Sequence, residues 1–197
     1  MSFFTADTPS SIPAPQSEKL ISNSALGMLI FVICEVMLFA GMISAFMIVR
    51  TSALGAWPPP GQPRLPVEST LINTAALLLS GIMLFRARSA FKSDPTSAVW
   101  PYLLAVGFGA FFVLLQGFEW LGLIREGLTL TSSNHGSFFY LIVGTHALHA
   151  LGGLIFLGLG YLALRASRLE DERFQAIQIF WYFVVLLWPI LYVRVYL

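Results

Sequence analysis

Five long runs of apolar residues alternate with short polar segments along the chain. Each run is at least about 20 residues long, which is the length an α-helix needs to cross ~30 Å of hydrocarbon. The pattern therefore predicts an all-α protein, an integral membrane bundle of five transmembrane helices that form one domain over residues 24–197. The approximate spans are 24–50, 68–90, 99–124, 136–165 and 174–197.

The polar segments between the runs contain residues that break helices. The first is Trp57-Pro-Pro-Pro-Gly61 and the second is Lys92-Ser-Asp-Pro95, and no segment is long enough for a folded soluble domain. Residues 1–23 contain Pro13, Pro15 and several serines, so we predict a flexible cytoplasmic arm there. This arm lacks the basic start and short apolar core of a cleavable signal peptide.

The composition agrees with a membrane protein. Hydrophobic residues make up 57% of the chain and charged residues 11%, against roughly 25% charged residues in soluble domains. The net charge of +1 gives no large basic surface for nucleic acid. Because Cys34 is the single cysteine, neither an intrachain disulfide nor a cysteine metal cluster can form. Five tryptophans near predicted span ends are expected to be interfacial anchors, namely Trp57, Trp100, Trp120, Trp181 and Trp188.

The basic residues predict the orientation of the bundle. The arm and the second and fourth loops carry 7 of them, Lys19, Arg86, Arg88, Lys92, Arg165, Arg168 and Arg173. The opposite side carries 4, Arg50, Arg64, Arg125 and Arg194. By the positive-inside rule, the N-terminus is predicted to be cytoplasmic and the C-terminus outside.

Two carboxyl groups and two imidazoles lie well inside the apolar runs. The carboxyls are Glu35 and Glu119, and the imidazoles are His146 and His149, which are neighbours on one helix because they are three residues apart. Ionisable groups in a membrane span are functional candidates by default, since an unpaired one is costly in lipid. The predicted topology makes a Glu–His contact geometrically available.

A metal site is the competing interpretation of the histidines. Zinc or copper needs three or four convergent ligands, and two histidines with one carboxylate barely suffice. A haem in a helical bundle needs ligands on facing helices, but the remaining histidine, His135, begins the same span. Buried, hydrogen-bonded histidines are therefore favoured over metal ligands. The chain also lacks a Gly-rich phosphate loop, a nucleophile elbow and an HExxH zinc motif, so we assign no catalytic, cofactor-binding or metal-binding residue.

Several short motifs follow one another in order along the spans. They are a glutamate in a phenylalanine-rich helix, a proline loop followed by an Asn-Thr helix, a Gln-x-x-Glu-aromatic segment and a paired-histidine helix. Each is weak alone, but together they resemble the cytochrome c oxidase subunit III family in its five-helix bacterial form. The motifs are Phe31-Val-Ile-Cys-Glu35, Trp57-Pro-Pro-Pro-Gly61 with Asn73-Thr74, Gln116-Gly-Phe-Glu119-Trp120, and Thr145-His-Ala-Leu-His149 with Gly152-Gly153.

The resemblance implies a non-catalytic subunit of a haem-copper terminal oxidase that reduces oxygen to water in an aerobic respiratory chain. Either cytochrome c or a quinol would donate the electrons. This chain would stabilise the catalytic subunit and sustain its proton uptake, without a catalytic centre of its own. It would lie in the bacterial inner (cytoplasmic) membrane as a multi-pass protein.

The resemblance also implies cofactors and partners. Haem and copper would belong to partner subunits, with none on this chain, and bound phospholipid is compatible with the family. The expected partners are oxidase subunit I by direct packing, subunit II, a small subunit IV as a further candidate, and membrane lipids, with no nucleic acid. The residues expected to make buried polar or lipid contacts are Glu35, Gln116, Glu119, His146 and His149.

Two departures from the family limit what the resemblance implies. The last helix of relatives usually opens with Trp-His-Phe-Val-Asp, whereas Tyr182 and Val185 occupy the His and Asp positions here. Contacts that relatives make there are therefore not carried over. Longer members also have two extra N-terminal helices that complete a phospholipid-filled cleft, which this chain alone is not expected to build.

Two other functions remain open at this stage. A subunit III-like accessory protein of a nitric oxide reductase system would share the five-helix pattern. A small transporter or membrane enzyme would use Glu35, Glu119 and the paired histidines as a substrate site. The role of Glu35 is likewise open between a purely structural group and a proton carrier beside the catalytic subunit.

Overall fold

The computed structural model describes residues 22–53, 57, 59, 61–63 and 65–197. Within this part of the chain, five helices are long and apolar enough to cross a membrane. The predicted all-α membrane bundle is therefore confirmed. The helices are α1 (Asn23–Ser52), α2 (Val67–Ser93), α3 (Val99–Arg125), α4 (Asn134–Arg165) and α5 (Asp171–Leu191), and α5 continues into a π-helical turn, Tyr192–Tyr196.

Most of the helices extend slightly beyond the predicted apolar spans. Polar residues can continue a helix where a cap satisfies its free N–H groups. The Ser22 hydroxyl accepts from the Ala25 N–H at 3.2 Å and the Ser133 hydroxyl accepts from the Gly136 N–H at 3.0 Å, so α1 and α4 begin before the first apolar residue. Residues 1–21 of the predicted arm lie outside the described residues, and that arm stays a prediction.

The last helix is the centre of the bundle. Helix α5 contacts α1, α2 and α4, while α3 packs between α2 and α4. Ten of the 21 residues of α5 are buried, whereas only Ala25, Phe39 and Phe46 are buried in the 30 residues of α1. Helix α1 is therefore a peripheral helix that exposes most of its apolar surface.

Trp181 of α5 lies between two glycines on neighbouring helices. A Cβ atom added at Gly109 of α3 or at Gly153 of α4 would lie 2.8 Å from the Trp181 ring. The indole N–H donates to the Ser80 hydroxyl at 3.0 Å, and that hydroxyl donates to the Ala105 carbonyl at 2.6 Å. The two glycines thus allow a fully buried indole to join α2, α3, α4 and α5.

Trp188 is one of two tryptophans that the sequence analysis placed wrongly. Its indole N–H donates to the Thr74 hydroxyl at 2.9 Å, and it is fully buried, as is Trp181. Both were predicted to be interfacial anchors, but they pack in the core of the bundle. The reason is that α5 is surrounded by other helices, so its tryptophans find hydroxyl partners on α2 rather than lipid headgroups.

One end of the bundle carries an ion pair between α2 and α5. Arg88 donates to both carboxylate oxygens of Asp171, with 2.6 Å between Nη2 and Oδ2, and its guanidinium lies 5.2 Å from the centre of the Phe174 ring.

In the loop between α2 and α3, the hydroxyl and backbone N–H of Thr96 donate to Asp94. These hydrogen bonds lower the pKa of Asp94 from its usual value.

Candidate functional site: two intramembrane carboxyl clusters

The first cluster joins Glu35 of α1 to His149 of α4. Oε2 of Glu35 lies 3.0 Å from Nε2 of His149, and Nδ1 of the same ring lies 2.8 Å from the Thr145 carbonyl oxygen. The rings of Phe39 and Phe183 stand edge-on to the imidazole at 5.5 and 5.8 Å. The structure therefore contains a Glu–His contact of the kind that the sequence made available.

The hydrogen bonds of His149 determine how this contact is made. Because a carbonyl oxygen only accepts, the Nδ1 atom of His149 must carry a hydrogen. Nε2 then contacts Glu35 through a second proton, which belongs either to the carboxyl or to the ring. The side chains of His149 and Glu35 are 15% and 16% exposed, so the pair lies at the edge of the bundle and fastens the peripheral helix α1 to α4.

The second cluster surrounds Glu119 near the end of α3. Its Oε2 atom lies 3.1 Å from Oγ1 of Thr70 and accepts from Nε2 of Gln116 at 3.2 Å. The same Gln116 nitrogen donates to the Tyr196 hydroxyl at 3.1 Å, and Oε1 of Gln116 accepts from Nδ2 of Asn73 at 3.2 Å. This polar cluster connects α2, α3 and the π-helical turn after α5.

His146 joins neither cluster. Its ring is 1% exposed, stacks on Trp188 at 5.0 Å and has Phe39 and Phe112 at its edges. Neither ring nitrogen has a hydrogen-bond partner in the described part of the protein. At 3.6 residues per turn, side chains three positions apart point about 60° apart, which turns His149 toward α1 and His146 toward α5. A carboxyl partner for His146 is therefore not found.

The histidines do not converge on a common site. His135 lies at the start of α4 with its ring 5.4 Å from Trp57, and its two nitrogens also lack partners among the described residues. Over those same residues, no group of three or more His, Cys, Asp or Glu side chains is arranged to hold a metal ion. His149 forms the predicted hydrogen bond with a carboxyl, whereas His146, for which one was also predicted, is packed against Trp188 instead.

Sequence reasoning did not predict polar contacts for three members of the Glu119 cluster, Thr70, Asn73 and Tyr196. Thr70 lies one helical turn before Asn73 on α2, so their spacing carried a signal that both face α3. The sequence around Tyr196 gave no such signal, because it is the π-helical turn that places the Tyr196 hydroxyl beside Gln116. A polar residue near the end of an apolar span gives no indication of its partner on another helix.

The two positions that depart from the family motif are occupied by groups with local partners. The Tyr182 hydroxyl accepts from Nε2 of Gln178, one turn earlier on α5, at 2.7 Å. Val185 is buried, and its Cγ1 atom lies 3.1 Å from where a Cβ at Gly81 would stand. An apolar side chain at position 185 therefore fits the close approach of α2 and α5.

Two apolar cavities open along the sides of the bundle. One, between α3 and α4, has a volume of about 250 Å³ and includes Phe112, Gly144 and Trp188 in its wall. The other, between α2 and α3, has a volume of about 600 Å³ and includes Ala75 and Gly107. Both are lined almost entirely by apolar side chains of membrane-spanning helices, so each offers room for a hydrocarbon chain.

Comparison with known proteins identifies the family. The protein-family model described as "Cytochrome c oxidase subunit III" matches residues 16–197. The chain belongs to the cytochrome c oxidase subunit III family. A "Probable cytochrome c oxidase subunit 3" of Nocardia farcinica is 31% identical over 180 residues, covering 87% of this chain and 86% of that protein. A protein of the same name from Mycobacterium leprae is 33% identical over 181 residues, with coverages of 87% and 86%.

A longer relative shows the same similarity over part of its length. The "Cytochrome c oxidase subunit 3" of Homo sapiens is 32% identical over 179 residues, which are 86% of this chain and 67% of that protein. The family assignment confirms the resemblance drawn from the motifs. As a subunit III, the chain is a multi-pass membrane protein and part of a haem-copper oxidase complex. The nitric oxide reductase and transporter alternatives receive no support.

Proposed function

We propose that this subunit III has no catalytic centre and acts by stabilising the catalytic subunit of its oxidase and by sustaining that subunit's proton uptake. The observation that carries the proposal is the placement of the intramembrane carboxyls. Glu35 is bound to His149, and Glu119 is bound to Thr70 and Gln116. The Glu35–His149 contact joins α1 to α4 and the Glu119–Thr70 contact joins α3 to α2, which suits a packing subunit better than a substrate site.

The partners and cofactors follow from the same proposal. Subunit I of the haem-copper oxidase packs directly on this chain, with subunit II and a small subunit IV in the same complex. Haem and copper are held by those partners. The exposed apolar surface of α1 supports such packing, since only three of its 30 residues are buried within the chain. Membrane phospholipid occupies apolar cavities such as the 600 Å³ groove between α2 and α3.

The proposed location is the inner membrane of a bacterium, with the N-terminus in the cytoplasm and the C-terminus outside. The chain covers 86% of the length of its relatives from Nocardia farcinica and Mycobacterium leprae, which supports a bacterial source. The basic residues in and beside the α2–α3 and α4–α5 connections support the orientation, because positive charge accumulates on the cytoplasmic side. Those residues are Arg86, Arg88, Lys92, Arg165, Arg168 and Arg173.

Removal of this chain tests the proposed role. The haem spectrum of the remaining complex should be nearly unchanged, and oxygen reduction should begin at a normal rate and then fade during turnover. The reason is that the catalytic subunit loses the helix packing that constrains its proton-entry route, while its redox centres stay in place. The measurement is oxygen consumption over time by complexes with and without the chain, at matched haem content and several pH values. Equal decay and equal pH dependence in both preparations would leave only a role in assembly.

A single substitution tests whether Glu35 carries protons. Glu35→Gln keeps the shape of the side chain, and its amide donates to Nε2 of His149 as a protonated carboxyl does. We therefore expect oxygen reduction to remain largely intact. The check is the steady-state rate of the variant complex with subunit content verified by gel. If turnover stopped while assembly stayed complete, Glu35 would be an obligatory proton carrier.

A further inference from the structure

The hydroxyl of Thr70 contacts two oxygen acceptors with only one hydrogen to donate. Its Oγ1 atom lies 2.7 Å from the Pro66 carbonyl oxygen and 3.1 Å from Oε2 of Glu119. A carbonyl oxygen cannot supply a hydrogen, so the shorter contact requires the Thr70 hydrogen. Thr70 therefore faces Glu119 with a lone pair.

A contact between the Thr70 lone pair and Oε2 of Glu119 needs a hydrogen from the carboxyl. If Glu119 were ionised, its oxygen would be an acceptor only, and two electron-rich atoms would be held together at 3.1 Å. Gln116 also donates to Oε2 of Glu119, but its hydrogen does not lie between Oε2 and the Thr70 oxygen. The repulsion between those two oxygens would therefore remain. A protonated Glu119 resolves it, since the carboxyl O–H donates to Thr70 and its oxygen still accepts from Gln116.

The surroundings of Glu119 point the same way. The second oxygen, Oε1, is buried without a hydrogen-bond partner in the described part of the protein. Over the same residues, no Lys, Arg or His forms an ion pair with Glu119, and the titratable side chain next to the cluster is Tyr196, whose hydroxyl accepts from Gln116. An unsatisfied carbonyl oxygen of a neutral acid is less costly in this setting than an unsatisfied oxygen of a carboxylate.

We propose that Glu119, Thr70 and Gln116 form a proton-binding site in which Glu119 is a neutral acid at neutral pH and donates to the Thr70 hydroxyl. The bound proton joins α3 to the beginning of α2. Through Gln116, the same cluster reaches Tyr196 and the end of α5. After loss of the proton, the carboxylate and the Pro66 carbonyl would compete for the single Thr70 hydroxyl hydrogen, and the contact between α2 and α3 at this point would be weaker. The inference does not depend on the proposed role in the oxidase.

Infrared spectroscopy of the oxidase complex in lipid bilayers at neutral pH tests the proton directly. The spectrum of Glu119→Gln should lose the carbonyl band of one protonated carboxyl relative to the unaltered complex. The matched control is Glu68→Gln, which alters an exposed glutamate at the start of α2 and should remove only an ionised-carboxylate band. Glu35→Gln, recorded separately, assigns any band that belongs to the other intramembrane glutamate.

Thermal stability provides a second readout. The amide of Glu119→Gln can donate to Thr70 as the neutral acid does, but its nitrogen cannot also accept from Gln116. The melting temperature should therefore fall less for Glu119→Gln than for Glu119→Ala, which removes both contacts. The proposal is overturned if Glu119→Gln removes only an ionised-carboxylate band. It is also overturned if Glu119→Gln destabilises the complex as much as Glu119→Ala, because the carboxylate charge would then be what holds the cluster.

Discussion

Gly153→Val is expected to prevent stable packing of α4 against α5. A Cβ atom at Gly153 would lie 2.8 Å from Cε3 of Trp181 and 3.4 Å from Cε1 of Phe180, and Trp181 cannot withdraw because Gly109 of α3 closes its other side. Overpacking of a close-packed interior costs about 1–3 kcal/mol and sometimes more. A branched side chain pressed against a fixed indole should reach the upper end of that range.

The neighbouring glycine provides a matched control. Within the described part of the chain, no atom lies within 4 Å of a Cβ atom at Gly152, so Gly152→Val has the same effect on helix propensity and no clash. The measurement is the melting temperature of the solubilised complex together with its content of this chain. We expect a clear loss of both for Gly153→Val and little change for Gly152→Val. Equal behaviour of the two variants would mean that the Trp181 contact does not limit packing.

His149→Phe is expected to destabilise the bundle, whereas His146→Phe is expected to be neutral or stabilising. The first substitution leaves Glu35 without its partner, and an unpaired acidic group at the centre of a membrane helix costs about 2.5–3.5 kcal/mol on insertion scales. The second removes two ring nitrogens that have no partner among the residues that the structure describes and places a ring of similar shape on Trp188. The same substitution, three residues apart on one helix, should therefore have opposite effects.

The measurement for this pair is thermal unfolding of each variant, followed by the double variant His149→Phe, Glu35→Gln. A neutral amide in place of the carboxyl should restore much of the stability that His149→Phe removes, because the uncompensated acid is gone. The interpretation fails if His146→Phe is the more damaging of the two, since that result would give His146 a hydrogen-bonded role. It also fails if the double variant is no more stable than His149→Phe.

The approximate positions of the five helices were determined by the sequence alone. A helix that crosses a membrane must satisfy its own backbone and present apolar side chains over its whole length, so each apolar run is sufficient evidence for its own helix. The apolar runs did not predict the first residues of α4 and α5, Asn134 and Asp171. Those helices begin with capping residues and first-turn carboxylates rather than with apolar residues. The candidate residues of the two clusters were visible for a related reason, since a polar group inside an apolar run stands out.

Only the tertiary structure decided which of those groups meet. The i, i+3 spacing of His146 and His149 is the same for a pair that shares a carboxyl and for a pair that points to different helices. Glu35 contacts His149 because α1 lies beside α4, whereas the ring of His146 points to α5 and stacks on Trp188. Glu119 likewise found Thr70 and Gln116 rather than a histidine.

The buried tryptophans show the same division. Trp181 and Trp188 were assigned to the ends of an apolar run, where an indole usually marks the membrane interface, yet both lie well inside α5 and are fully buried. The burial of Trp181 depends on Gly109 of α3 and Gly153 of α4. Both indoles also depend on hydroxyls of α2, which accept their N–H groups. Helix formation is a local property of the chain, whereas the choice of lipid or protein as the surroundings of a side chain depends on which helices pack around it.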